Sequence, residues 1–255
     1  MSRLSALLLS TAYVGVESWE NIAKIGTETG RSYSDRVTGS DSARRFLLLH
    51  GSGMTAEAFV NSPTANGAKS FLAGMPPRRR DSDPWCYTAL DADTPYGSWW
   101  EETPRSPYDG LEKSIAMVEE AIEAEQICGI VGHEQGGLLA AVVAAKAALG
   151  MGPKTLQFAV ISGAAMPEAG AMATLLRAVR DKPEASKIKT LHCLSASNPV
   201  TPSELSEELA ACFPEAELLW HDNGKAMPGN TWWKESRGFP DRATGKTEYV
   251  AGMHG

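Results

Sequence analysis

The sequence predicts an α/β fold: a doubly wound, mostly parallel sheet with helices on both faces. Short apolar runs bounded by turn residues alternate with longer stretches of helical periodicity from about residue 45 to about residue 221, and that order implies parallel strands joined by crossover helices. The runs are apolar throughout rather than alternating, as strands are when both faces of the sheet are covered.

The first run, Arg45 to His50, ends in His50-Gly51-Ser52-Gly53, and the second, Trp85 to Leu90, ends in Asp91 and Pro95. Ile127 to Val131, Leu156 to Ile161, Ile188 to Leu194 and Ala216 to Trp220 follow, so at least six strands are expected. Between them, Leu111, Ile115, Val118 and Ile122 recur at helical spacing, with Glu112, Glu119, Glu120 and Glu123 on the other side, which predicts an amphipathic crossover helix. Gln135 to Leu149 is nearly all Ala, Leu and Val, as in a helix buried against the sheet centre. Ser203 to Phe213 reads as a surface helix opened by a Thr-Pro-Ser cap with Glu204 in its first turn. Right-handed crossovers assemble these elements into the doubly wound arrangement. The stretch from Asn61 to Pro84 is loop-rich, and the ends lie outside the alternation. The organisation is therefore an N-terminal extension over 1–43, an α/β domain over 44–228 and a C-terminal tail over 229–255.

With 255 residues and 43% hydrophobic content, the chain can bury one sizeable core. A net charge of -7 argues against nucleic acid or an anionic membrane surface as partner, because neither offers a counter-charge. The basic run Arg78-Arg79-Arg80 is read as a solvated loop. Cys86, Cys128, Cys193 and Cys212 are far apart without a CxxC pair and are read as reduced core residues. No metal site and no cofactor are expected. No apolar stretch reaches the ~18 residues a spanning helix needs. Met1 to Val16, with Arg3 and the cluster Leu4, Leu7, Leu8 and Leu9, fits a signal peptide, an organellar presequence or a docking helix, and is expected to stay on the protein. A mitochondrial location is the expectation, with the cytoplasm as alternative.

The turn Gly132-His133-Glu134-Gln135-Gly136 has the flanking glycines, the preceding apolar strand and the following small-residue helix of a G-x-S-x-G nucleophile elbow, with Glu134 where that motif has Ser. Together with FLLLHGSG, GSWWEE, YDGLEKSI, ICGIVGHEQGG, FAVISG, SASNPVTP and HDNGKAMP, in that order over about residues 46 to 228, it resembles the FSH family of serine hydrolases. The resemblance implies an α/β-hydrolase fold and esterase or thioesterase chemistry by a Ser-Asp-His triad. It places the nucleophile at Glu134, the acid at Asn198 and the base at Lys225, and so implies a vestigial triad. It also places old oxyanion donors at the backbone of Gln135 and near Ser52 or Gly53.

The resulting expectation is a catalytically degenerate pseudo-hydrolase, an accessory subunit that contacts other protein chains through its extension and tail, in or beside a membrane complex, with any small-molecule ligand unidentified. The alternative is an enzyme with altered chemistry, hydrolase or lyase in type, using Glu134. Lys225 is expected within ion-pair distance of Glu134, roughly 4 Å, with Asn198 near the lysine. His50 and His133 stand at strand ends and are read as hydrogen-bonded buried imidazoles or as parts of a remade centre. His192 and His221 are read as core. Ser52, Ser162, Ser195 and Ser197 lack the elbow context. Trp99 and Trp100 are expected to close the core, and Trp232 and Trp233 to anchor the tail or a partner.

Overall fold

The computed structural model describes residues 44–63, 85–94, 96–104, 106–182, 187–229 and 238–244. Strands β1 (Arg44–Leu49), β2 (Trp85–Leu90), β3 (Gly129–His133), β4 (Phe158–Ser162), β5 (Lys189–Leu194) and β6 (Glu217–Trp220) form one sheet. Its order is β2-β1-β3-β4-β5-β6, and every neighbouring pair is parallel. Among the described residues the helices are α1 (Ala56–Asn61), α2 (Leu111–Ala124), α3 (Gln135–Ala148), α4 (Ala171–Arg180), α5 (Ser203–Ala210) and α6 (Phe239–Ala243).

The strand order reverses between β1 and β3, and at such a switch point the chain leaves a crevice beyond the carboxyl ends of the two strands. The sheet separates two apolar clusters. Leu47, Leu49, Ile130, Ala159 and Ile161 pack with residues of α2, α3 and α4 on one face. Phe46, Leu48, Val131, Phe158, Val160 and Leu219 pack with Phe59 of α1 and Phe239 of α6 on the other. This is the alternation of side chains that a strand imposes, doubled because both faces are covered. Phe239, inside the C-terminal tail, meets Phe158 edge-on at 5.9 Å.

The predicted run Trp85 to Leu90 is β2 without change, and the other five runs become strands with shifts of one or two residues. The largest shift is in β3, which starts at Gly129 because Gln126 (φ 54) still belongs to the turn that ends α2. The expected Thr-Pro-Ser cap of α5 does not form: Pro202 holds the cap position without a side-chain bond, and the Thr201 hydroxyl instead donates to Gly163 O at 3.0 Å. A tertiary acceptor takes the group that local sequence assigns to the helix. The helix also stops at Ala210, short of Phe213. α4 goes beyond the helices expected from the sequence, with Met172, Leu176 and Val179 making its buried stripe. Cys193 and Cys212 are buried thiols, and half-buried Cys128 donates its Sγ–H to Arg45 O. Met1 to Val16, the Arg78-Arg79-Arg80 run and Trp232-Trp233 lie outside the described residues.

Candidate functional site

The site is built where β3 turns into α3. Glu134 has φ 50 and ψ -115, a conformation that L-residues rarely adopt and that costs of order 1–3 kcal/mol. The surroundings hold it there. Its N–H donates to Ser162 O at 2.9 Å and its carbonyl accepts from Leu138 N–H at 3.0 Å. A Cβ on Gly132 would overlap the carbonyl of Gly136, and one on Gly136 would stand 2.5 Å from Leu49 O and closer still to His50 O. Both glycines are therefore required for the strand, the turn and the helix to close on one another. α3 packs against β3, β4 and β1, with Gly136 to Ala145 all buried, so the elbow has a rigid floor.

The Glu134 carboxyl is 27% exposed. Burial pushes its pKa up, and the positive charge of Lys225 only partly offsets that. The expected Glu134–Lys225 ion pair is not formed: among the described residues no such contact lies within 4.0 Å. Lys225 is exposed, on a turn that Asn223 ties down through Ala226 N–H to Asn223 O and Asn223 Nδ2 to Met227 O. Full hydration of an exposed ammonium outcompetes one half-buried carboxylate, so Lys225 contributes a field rather than a contact.

Oε1 of Glu134 lies instead 3.9 Å from Nε2 of His133. His133 is buried against Phe59, with ring centroids 6.2 Å apart. Burial first, then the charges of Lys225 and His221, lowers its pKa to about 4, so the imidazole is neutral at pH 7. Its Nδ1 is buried with no hydrogen-bond partner among the described residues. Asn198 is not held by the lysine either. Its Oδ1 accepts from Val200 N–H at 2.9 Å and Thr201 N–H at 3.1 Å, an Asx turn. Its Nδ2 and the His133 ring both come within 3.8 Å of the point where a side chain on Gly163 would begin. The positions that resemble nucleophile and acid thus share one corner with His133.

In the oxyanion region, the Gln135 side chain clamps the tryptophan pair: Oε1 accepts from Trp99 N–H at 3.0 Å and Nε2 donates to Trp100 O at 3.3 Å. The backbone N–H of Gln135 has no acceptor among the described residues. Gly53 is not an available donor, because its N–H is committed to Gly97 O at 3.0 Å. The Ser52 hydroxyl pairs with that of Ser98 at 2.9 Å. Trp99 and Trp100 are buried in the core, as expected.

His50 is the hydrogen-bonded buried imidazole of the plainer reading. Its Nδ1–H donates to Gly51 O at 2.8 Å, its Nε2 accepts from Ala92 N–H at 3.3 Å, and its ring stacks on Trp99 at 4.8 Å. His192 is buried beside Phe213, and His221 Nδ1 accepts from Asn223 N–H at 3.2 Å. Ser195 and Ser197 share a 3.0 Å hydroxyl contact, and the Ser162 hydroxyl is buried without a partner among the described residues. No serine occupies the elbow. Among the described residues no three His, Cys, Asp or Glu side chains converge as a metal centre requires. The nearness of His133 and Glu134 was not legible in the sequence, since strand alternation puts adjacent residues on opposite faces and only the positive φ brings the carboxyl back.

Comparison with known proteins accords with the geometry. A family model described as serine hydrolase (FSH1) matches residues 40–236. Esterase CG5412 of Drosophila melanogaster is 27% identical over 207 residues, which cover 75% of this chain and 71% of that protein. Human esterase OVCA2 is 30% identical over 169 residues, 65% of this chain and 70% of its own length. Among solved structures, a Bacillus cereus carboxylesterase superimposes with a TM-score of 0.55 at 17% identity, over 80% of this chain and 90% of that one, a likeness of fold.

Proposed function

The chain belongs to the serine hydrolase (FSH1) family, and within it we propose that it is a catalytically degenerate member, a pseudo-hydrolase kept as a structural or accessory subunit. The observation that carries this reading is Glu134 itself. The elbow keeps its strained backbone, its glycines and its buried helix, yet presents a carboxyl group where serine-hydrolase chemistry needs a hydroxyl. A carboxylate that attacks an ester leaves an anhydride, which only a base-activated water clears, and the position that resembles the base holds an exposed lysine outside contact range. Asn198, in the acid's place, spends its oxygen on its own turn. With such groups missing, turnover falls by roughly 10⁴ to 10⁶. Exposure of the full-length chain to a fluorophosphonate probe tests this: the reading predicts no covalent labelling, and stoichiometric labelling of any serine at the elbow crevice contradicts it.

A second reading has Glu134 act as a general acid or base in altered chemistry. The absence of the lysine contact and the raised pKa of the carboxyl favour it. It predicts an activity that Glu134→Gln abolishes while the fold survives.

A further inference from the structure

At the carboxyl ends of β3 and β4, three side chains carry polar groups that the fold leaves unspent. His133 and Ser162 are partners in the parallel register, so their side chains stand on the same face of the sheet. His133 Nδ1 and Ser162 Oγ are both buried, and neither has a hydrogen-bond partner among the described residues. Asn198 spends its oxygen on Val200 N–H and Thr201 N–H, while its Nδ2 makes no hydrogen bond among the described residues. That Nδ2 lies 3.7 Å from the point where a side chain on Gly163 would begin, and His133 Cε1 and Nδ1 lie 3.7 Å and 3.8 Å from the same point. Beyond Gly163 and its chain neighbours no atom stands nearer, so one further heavy atom fits there at ordinary contact distance. The Gly163 backbone is already engaged: its N–H donates to Cys193 O at 3.4 Å and its carbonyl accepts from the Thr201 hydroxyl at 3.0 Å.

Buried polar groups in folded proteins are almost always paired, through water where protein atoms do not reach. The three groups narrow the occupant by their chemistry. Glu134 Oε1 stands 3.9 Å from His133 Nε2, and a carboxylate there favours the imidazole proton on Nε2, which leaves Nδ1 as an acceptor. Asn198 Nδ2 only donates, and a hydroxyl does either. Amide hydrogens turn away a cation and the Nδ1 lone pair turns away an anion, so a neutral molecule of one heavy atom that both donates and accepts suits all three. We propose that one water molecule is built into this corner, donating to His133 Nδ1, accepting from Asn198 Nδ2 and completed by the Ser162 hydroxyl, and that it fixes His133 as the Nε2–H tautomer turned on Glu134. Three partners are what a buried water ordinarily has. The water lies on the Nδ1 side of the ring, away from Glu134, and the inference does not depend on whether the elbow turns over an ester.

The test is NMR of the full chain labelled at histidine, near pH 7. The native chain is expected to show His133 with its proton on Nε2, and a cross-peak between His133 Hε1 and water whose NOE and ROE have opposite signs, the mark of a held rather than a bulk water. Gly163→Ala puts a methyl group at the point the water would occupy, and the cross-peak should be lost. The positive φ of Gly163 (61°) strains that variant, so Ser162→Val, which suits a strand and fills the corner from the other side, serves where Gly163→Ala fails to fold. Ser162→Ala separates a held water from a hydroxyl proton exchanging with solvent: it leaves the room and two of the three partners, so the cross-peak should persist. A native chain without the cross-peak, or with the proton on Nδ1, overturns the proposal. So does a cross-peak that survives Gly163→Ala or Ser162→Val, or one that Ser162→Ala alone removes.

Discussion

At the scale of single residues, the site is governed by burial of ionisable groups that have not found partners. His133 binds its proton less readily in the folded chain, with a pKa of about 4 against the ordinary 6.5 of a solvated histidine, so between those values the unfolded chain holds more protons than the folded one. Its contribution to stability is then complete above about pH 6.5 and falls as the pH drops toward 4, by up to about 3 kcal/mol from this group. His192, lowered to about 3, and the lowered His50 and His221 act in the same direction. Glu134, raised, acts with the opposite sign: its contribution is lost as pH rises through its folded value. Denaturant unfolding from about pH 7.5 to about 4.5 should therefore show a positive slope of stability with pH, and His133→Phe, which keeps the ring against Phe59, should flatten it in part. Lys225→Ala makes a contrasting case. An ion pair expected from the sequence would leave Glu134 uncompensated on loss of this lysine, but the exposed ammonium makes no such contact, so the substitution should change stability by less than about 0.5 kcal/mol.

At the scale of elements, the strand, elbow and buried helix act as one unit held by backbone approaches. Gly136→Ala places a methyl group against the carbonyls of Leu49 and His50, which belong to β1 and its end rather than to the helix. It should cost about 1–3 kcal/mol or more, measurable as a shift in denaturant midpoint. This unit was legible in the sequence because its requirements are local: an apolar run, two glycines and a run of small residues are what such packing admits. The six strands were legible for the same reason. The Thr201 hydroxyl's partner was not, because Gly163, distant in sequence, supplies a better acceptor than the helix end. A Glu134–Lys225 pair follows from the sequence but not in the fold, because resemblance of position carries the backbone over, whereas side-chain direction depends on hydration and on the Asn223-anchored turn. The Gly51–Glu134 contact joins two elements and has no sequence signature.

At the scale of the whole molecule, a serine hydrolase fold retains its elbow at the switch point of the sheet, with the Glu134 side chain lying against Gly51. The reading as an accessory subunit predicts that the native chain co-purifies with other proteins, and that deleting Met1 to Val16 or replacing Trp232 and Trp233 by alanine releases it. Sedimentation of the natively purified chain as a lone monomer, with both ends open to protease, would count against it. The central claim, that the elbow is intact but chemically empty, is tested most directly by rebuilding it. Hydrolysis of p-nitrophenyl acetate should be indistinguishable from buffer for the native chain and for Glu134→Ser alone. It should become measurable, and labelled by a fluorophosphonate at position 134, when Glu134→Ser is combined with Asn198→Asp and Lys225→His. Robust turnover by the native chain that disappears in Glu134→Ala would contradict the account.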